Sequence, residues 1–511
     1  MVLELTHSHL TRMIKIMNEN AINSEYSDNE KLSVVEKVGY SLGDLAANLI
    51  FQTFVTFIAF FYTDVYKIPA EQATFIIFTG GMVGAFFSPL MGLIADRTST
   101  RWGRYRPWIL WTSIPFGVLT ILAFSTPDFG VEGKVLYAFI TYIALVIIYS
   151  ANNLPYAALS GVITGSMAER NSVSSYRFVA VMVAQFIIQV LLLPLVLILG
   201  DGDKAVGFEN TMMIFSMVGI AFFLITFLTT KERVMTKPEQ KSSIAQDLID
   251  LFKNKPWIIM LAVTILIFIT LALKGGMYIY YFKNFVNETH LAQFQNDIGF
   301  NSLIAGLNNL LTNAGLTKFQ WPEDIAISGN SIFNACGIIF MIIGIGLSKP
   351  LADKFGKRDV FSSALFVSTL FVLAFYFYPP ESIGWMFSSQ IAHGFFYGIT
   401  IPILWAMIAD VADYSEWKNN RRATAIVFSA MLFGLKSGLA IGGSLVAGIL
   451  ARYHYDANLM VQTPETIEGI KFAVSIYAAI PFLIGCAILF FYEINKAMEV
   501  QIETDLKISR A

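Results

Sequence analysis

Long apolar runs constrain this chain more than any other feature. Twelve of them can be marked out, at roughly 38–63, 73–95, 108–126, 136–160, 176–200 and 211–230, then 257–283, 331–348, 360–378, 384–411, 423–450 and 469–492. Runs of about 18–25 such residues have the length of a helix that crosses a bilayer core. Only 14% of the residues are charged, against about 25% in a soluble domain. The chain therefore reads as an all-α polytopic membrane protein with twelve transmembrane helices. A net charge of −2 gives no bulk electrostatic case for nucleic acid. Cys336 and Cys486 both sit inside apolar runs, so neither a disulfide framework nor a metal site is expected. The segment up to about Glu36 is polar and lacks the apolar core and small-residue cleavage site of a signal peptide, so the first run itself is expected to direct insertion.

Between the second and third runs lies a basic turn, Gly92-Leu-Ile-Ala-Asp-Arg-Thr-Ser-Thr-Arg-Trp-Gly-Arg-Tyr-Arg-Pro-Trp108, and a weaker copy follows at Pro350-Leu-Ala-Asp-Lys-Phe-Gly-Lys-Arg358. Two copies at matching places imply two related six-helix bundles, 37–230 and 256–492. A polar stretch, 1–36, precedes them, a linker, 231–255, joins them, and a tail, 493–511, follows. Within the linker, Ile244 to Phe252 has the apolar spacing of a short surface helix. Lysine and arginine in the loops on the side of these turns outnumber those on the opposite side by more than two to one, which places both termini in the cytoplasm. On the outer side, the polar insert 284–330 carries Ile304, Leu307, Leu310 and Leu311 at helical spacing, and a small amphipathic cap over the outer mouth is expected there.

An ionisable group inside a span is costly and marks a cavity or a partner. Asp44 lies in the first span, with Asn48, Gln52 and Thr53 following at about one-turn spacing, a polar stripe that suggests a water-filled cavity. A ligand-binding or ion-coupling role fits it. Arg177 opens the fifth span and reads either as a cavity residue or as an arginine snorkelling to the interface. Lys436 sits in mid-span between Gly434 and Gly438, too deep to reach an interface, and calls for a carboxylate or a substrate. Lys274, just before Gly275-Gly276, reads as paired with a carboxylate across the bundle or as functional. His393 in the tenth span is either a hydrogen-bonded core histidine or a proton carrier. Asn152-Asn153-Leu-Pro155-Tyr156 sets amide donors and acceptors beside a proline break, as binding of a neutral polyol needs. Asp410, Asp413 and Glu416 end the tenth span beside Lys418, Arg421 and Arg422 and read as gate residues rather than ligands.

Taken in order, Gly43-Asp44, Tyr62-Thr63-Asp64, Pro89-Leu90-Met91-Gly92, Arg101-Trp-Gly-Arg-Tyr-Arg-Pro-Trp108, Asn153-Leu-Pro155-Tyr156, Tyr176-Arg177-Phe178 and Ala409-Asp410-Val-Ala-Asp413-Tyr414 resemble the glycoside–pentoside–hexuronide cation symporters. These are the melibiose permease-like branch of the major facilitator superfamily. The resemblance covers nearly the whole chain apart from the polar N-terminus and the 284–330 insert. It implies the major facilitator fold around a central sugar cavity, alternating access, and residence in a bacterial inner membrane. Asp44 falls on the family's sugar-binding aspartate, Arg177 on its fifth-span arginine, and Lys436 on its eleventh-span lysine near the cation site. Two departures stand out. The family's fourth-span carboxylate is here Asn153, with Ala157 in place of the aromatic platform. The two second-span aspartates of the melibiose permeases' sodium site are here Ser88 and Gly84.

A dehydrated Na⁺ needs hard oxygen ligands and compensating negative charge, and the second span offers one hydroxyl. The expected function is thus uptake of a sugar or glycoside by secondary active symport with H⁺. Asp44, Asn48, Asn153, Tyr156, Arg177 and Lys436 are the expected substrate contacts, and Asp44 the proton carrier, partnered by Lys436 or His393. A cytoplasmic gate is expected from Asp96, Arg97, Arg101, Arg104, Asp353, Asp410 and Asp413, whose exposed charge pairs are each worth at most about 1 kcal/mol. Transport of another amphipathic solute such as a lysolipid is the alternative, as is a sugar sensor that moves nothing. With no nucleotide-binding glycine loop, metal cluster or nucleophile–base set, no enzyme, ATP-driven pump, cofactor or metal is expected. A monomer is expected.

Overall fold

The structure, a computed structural model, describes residues 31–164, 167–233, 253–419 and 424–510. Those residues form helices, with one isolated antiparallel bridge between Thr100 and Gly103 in the basic turn. Six helices make the first half: α1 (Val34–Val65), α2 (Ala70–Arg97), α3 (Arg106–Ala123), α4 (Val131–Val162), α5 (Ser172–Leu199, beginning at Met167) and α6 (Lys204–Thr229). The second half begins with α7 (Lys255–Asn284) and continues, after two insert helices α8 (Glu288–Asp297) and α9 (Phe300–Asn313), with α10 (Ile325–Phe355), α11 (Lys357–Ala374), α12 (Ile383–Asn419), α13 (Thr424–Arg452) and α14 (Pro464–Leu489). A last helix, α15, covers Lys496–Arg510. Twelve of these helices are long and apolar enough to cross a membrane, so the protein is an integral multi-pass membrane protein. Helices suit that setting because each backbone donor finds its acceptor within the segment. Because the spans alternate in direction, α1 and α14 place both termini at one face, called here the terminal face; the opposite one is the far face.

Side-chain caps start these helices where the chain leaves water. Ser33 accepts from the Glu36 N–H, Asp203 from Ala205 and Val206, Asn254 from Trp257, and Asp324 from Ile327. The helices begin earlier than the apolar runs do, since a capped polar turn belongs to the helix although hydropathy does not count it. This moves two residues. Asp44 lies ten residues into α1, about 15 Å along its axis, and Arg177 is likewise well inside a helix that begins at Met167. Arg177 therefore does not open its helix, and snorkelling to the near interface is not its arrangement.

Wide π-helical turns end α1 at Phe61–Val65 and interrupt α5 at Ile187–Leu191. Such turns leave carbonyls free for other partners. The Gln189 carbonyl accepts from Asn334 Nδ2 of α10 at 3.3 Å, a bond between the halves. Small residues allow the halves to approach elsewhere: a Cβ on Gly81 of α2 would sit 2.4 Å from the Ala440 Cβ of α13, and one on Gly276 of α7 would lie 3.5 Å from the Thr56 carbonyl of α1.

The apolar core is not symmetric between the two faces. One continuous cluster runs through the first half and on into the far-face ends of α7, α10 and α11, through Tyr278, Tyr281, Phe333 and Phe375. A second fills the terminal-face part of the second half, from Trp257 and Met260 to Ile502 and Leu506 of α15. The tail is thus a docked helix, held also by Trp417 Nε1 donating to Asp505 Oδ2 at 2.8 Å. The insert differs from expectation. Its helix α9 forms, yet none of its residues is buried and Leu303, Leu307 and Leu310 are exposed, so its apolar stripe is not packed down on the bundle. Its neighbour α8 docks instead, through Leu291 and through Gln295 Nε2 donating to the Ile325 carbonyl at 3.0 Å. The expected Ile244–Phe252 helix, the pair Arg421-Arg422 and the side chain of Asp96 lie outside the described residues.

Candidate functional site

Gly43 and Asp44 set the first part of the site. A Cβ on Gly43 would meet the Tyr156 ring at 2.6 Å, so glycine lets α4 lay that ring directly on α1. Tyr156 stacks on Tyr40 with centroids 4.6 Å apart, and each hydroxyl donates to the other residue's carbonyl, at 2.7 and 2.8 Å. Against this clamp Arg177 lays its guanidinium 5.4 and 5.6 Å from the two ring centroids, and its Nε donates to Asp44 Oδ2 at 2.7 Å. Asn48 donates to the Asp44 carbonyl at 2.9 Å and lies 3.4 Å from Oδ1. The pair joins a nearly buried carboxylate to a partly exposed guanidinium. The Tyr156 hydroxyl is engaged within the clamp, so a ligand could use its ring but not its proton.

The two adjacent amides of α4 part ways. Asn152 is buried and donates to Thr112 of α3 at 2.8 Å, a contact inside the first half. Asn153 is only half-buried.

Lys436 of α13 reaches across to the first half and donates to Ser88 Oγ of α2 and, at 3.1 Å, to Ser150 Oγ of α4. Its ammonium lies 5.3 Å from the Tyr149 centroid, and Tyr149 stacks on Phe51 at 4.9 Å. Lys436, Tyr149 and Phe51 line a cavity between the halves, walled also by Phe54, Gly84 and Gly443 among others. Asp44 and Arg177 do not line it; Asp44 sits about two turns nearer the terminal face on α1, beneath Phe51. Of the carboxylate or substrate its depth called for, Lys436 meets no carboxylate here but two hydroxyls.

His393 is placed away from both Asp44 and Lys436. It contacts Lys274 of α7, and its Nδ1 lies 2.8 Å from Ser368 Oγ. The carboxylate expected for Lys274 is replaced by an imidazole, because α7 turns this face into the second half rather than toward α1.

At the far face, bonds cross between the halves. Asp64, in the π-helical end of α1, accepts from Lys283 Nζ at 2.7 Å and from the Tyr455 hydroxyl at 2.8 Å. Thr63 and Tyr280 hydroxyls meet at 2.7 Å, and Lys67 Nζ reaches the Ala457 carbonyl at 3.3 Å. Burial and the neighbouring Asp64 carboxylate push the Tyr455 phenol above its usual value, so it stays a donor at physiological pH. Sequence reading passed over this seam; the one available signal was an aspartate and a lysine at the far-face ends of two spans.

At the terminal face, ion pairs join helices of the same half. Lys37 pairs with Glu169 at 2.8 Å, Arg233 with Glu36 at 2.7 Å, and Lys357 with Asp410 at 2.5 Å. Of the expected gate residues, Arg97 and Asp353 are exposed, Arg101 lies 4.6 Å from the ring of its neighbour Trp102, and Asp413 is half-buried on α12. The basic turn is organised by a residue the sequence did not flag. Glu232, just after α6, accepts the backbone N–H groups of Arg104, Tyr105 and Arg106 at 2.8, 2.7 and 2.9 Å, capping the positive end of α3. Gly103 stands at φ +110°, and a Cβ there would lie 2.5 Å from the Glu232 carboxylate.

Comparison with known proteins agrees with this architecture. The inner membrane symporter YicJ of Escherichia coli is 36% identical over 459 residues, 90% of this chain and 91% of the relative. The isoprimeverose transporter of Lactiplantibacillus pentosus is 31% identical over 93% of this chain and 92% of its own length, and the putative glycoside/cation symporter YagG of E. coli is 33% identical over 93% and 94%. Among solved structures, a D-xylose–proton symporter superposes with a TM-score of 0.55 at 13% identity, covering 90% of this chain and 96% of its own. A bacterial homologue of the human lysosomal transporter Spinster gives 0.60 at 12%, covering 90% and 95%. At such identities the structures speak for the major facilitator fold alone. The family model described as MFS/sugar transport protein matches residues 39–310 and 327–496, and the chain belongs to that family.

Proposed function

We propose that this protein takes up a sugar or glycoside with protons across a bacterial inner membrane, by alternating access, with both termini in the cytoplasm. The observation that carries the reading is the Asp44–Arg177 ion pair, its carboxylate nearly buried, about two turns below a cavity between the halves. Asp44 accepts sugar hydroxyl protons, Arg177 and Asn48 donate to sugar oxygens, and Asn153 does both. The stacked faces of Tyr149 and Phe51 cover the apolar C–H side of a ring. The names of the relatives, a glycoside/cation symporter and an isoprimeverose transporter, support this substrate class. One chain supplies both walls of the cavity, so a monomer is the transporting unit.

Protons rather than Na⁺ follow from Lys436. Its ammonium is held by Ser88 and Ser150, where the resemblance would put a metal cation, and a second cation there has no carboxylate to offset its desolvation. Far-face bonds between the halves, with terminal-face pairs inside each half, fit a state closed to the outside and open to the cytoplasm. The Lys/Arg-rich loops of the terminal face support a cytoplasmic side for it. The test is uptake of mono- and disaccharides into proteoliposomes under imposed ion gradients. Accumulation driven by a pH gradient, abolished by a protonophore and indifferent to replacing Na⁺ with choline, is expected. A strict Na⁺ requirement, or no sugar moved by any gradient, would overturn it.

A further inference from the structure

Lys274 and His393 are 7% and 2% exposed, deep in the second half, and their nitrogens are in hydrogen-bond contact. The other ring nitrogen of His393, Nδ1, faces Ser368 of α11, with the hydroxyl at 2.8 Å and the carbonyl at 3.2 Å. The ring lies between Tyr397 and Phe482, centroids 5.9 and 6.4 Å away. Lys274 Nζ is 5.5 Å from the Tyr278 centroid, and the Tyr278 hydroxyl donates to Gln390 at 3.1 Å. The titratable groups facing the pair are thus Tyr278 from α7 and Tyr397 from α12. Charged groups on the helices packed against α7 are engaged elsewhere: Asp44 of α1 with Arg177, Asp64 of α1 with Lys283, and Lys436 of α13 with Ser88 and Ser150. Among the described residues no carboxylate pairs with Lys274 or His393.

Two basic nitrogens in contact can share one exchangeable proton and not two. With one, the Lys274 ammonium donates to Nε2 while Nδ1–H donates to Ser368. A second would set two cations side by side in an apolar interior. Even the singly charged state lacks a counter-charge, so it is stable when water reaches the pair and costly when the site is dry. Hydration is what alternating access changes. Lys274 lies two residues before Gly276, where a Cβ would come within 3.5 Å of the Thr56 carbonyl of the first half, and α7 carries Tyr280 and Lys283 of the far-face seam beyond it.

We propose that Lys274 and His393 form a one-proton site that carries the coupling proton, in place of a carboxylate. The proton comes from water when the pair is wetted from one side and returns to water on the other. No other bond is made or broken. This rests on the proton-symport reading and assigns that reading its carrier.

The test is a pH jump on proteoliposomes of the full chain, adsorbed on a solid-supported sensor with no sugar present, reading transient charge displacement. Charge movement is expected in the unmodified protein, and a loss of at least about tenfold in Lys274→Met and in His393→Gln, each checked for an unchanged thermal midpoint. Ser368→Ala keeps both titratable nitrogens and is expected to move the same charge at a shifted pH midpoint. An unmodified protein that moves no charge would sink proton symport itself. Charge movement that survives in both Lys274→Met and His393→Gln, or keeps its midpoint in Ser368→Ala, would overturn the assignment to this pair.

Discussion

Removing the charge of Asp64 tests how the far face is held shut. Its side chain is 4% exposed and accepts from Lys283, Tyr455 and the neighbouring Thr63 hydroxyl, at 2.7, 2.8 and 2.9 Å. Asparagine keeps the shape and one acceptor but loses the charge. Lys283 is 36% exposed, so solvent screening limits the ion pair to about 1 kcal/mol. The Tyr455 bond changes from a charged to a neutral acceptor, worth roughly another 1 kcal/mol. Lys283 and Tyr455 belong to the second half and Asp64 to the first, so both terms exist only while the far face is closed and the whole loss falls on that equilibrium. Roughly 2 kcal/mol is about a 30-fold shift toward the outward-open state. The assay is external labelling of Ile58→Cys, a buried cavity position, by a membrane-impermeant maleimide in intact cells, with Cys336 and Cys486 replaced. Asp64→Asn is expected to raise the labelling rate about 30-fold, and adding Lys283→Met to change it little, since the pair is already broken. An unchanged rate in Asp64→Asn, or full additivity with Lys283→Met, would refute the seam.

Asp44→Asn should insert normally yet lose concentrative sugar uptake in proteoliposomes, because Arg177 loses the carboxylate that orients it; normal accumulation would remove Asp44 from the site. Glu232→Ala strips three backbone donors at the start of α3 of their acceptor and should lower stability by about 1–2 kcal/mol, read as a drop in thermal midpoint in detergent. Gly103→Ala, strained at positive φ and crowding the same carboxylate, should behave alike; midpoints equal to the parent's would show the cap to be dispensable. Glu169 is held below the usual glutamate value, first by the Lys37 hydrogen bond and then by the Leu32 N–H. Since its folded value is the lower one, its contribution is complete above the unfolded value of about 4.5 and fades as pH falls. The thermal midpoint of Glu169→Gln should accordingly match the parent's in acid and fall behind it toward neutral pH.

Much of the architecture was legible locally. Apolar runs of spanning length and the asymmetric lysine and arginine loops are properties of consecutive residues, and they gave twelve helices and a proposed orientation. Helix ends were less legible because a capped polar turn adds nothing to hydropathy, which is why Asp44 and Arg177 looked shallower than they are. The amphipathic spacing of α9 foretold a helix but not its placement, since periodicity marks an apolar face without saying what covers it.

The chain by itself determined that ionisable groups lie inside the membrane, and named Asp44, Arg177, Lys274, His393 and Lys436. Only the tertiary structure decided their partners. Asp44 and Arg177 meet across 133 residues of chain. Lys436 finds two serines instead of a carboxylate, Lys274 finds His393, and Asp64 closes on Lys283 at a face where no gate was expected. The reason is geometric. A side chain's partner depends on which helices are neighbours and how each is rotated and shifted along its axis, and these follow from packing summed over the whole bundle rather than from any one stretch of sequence.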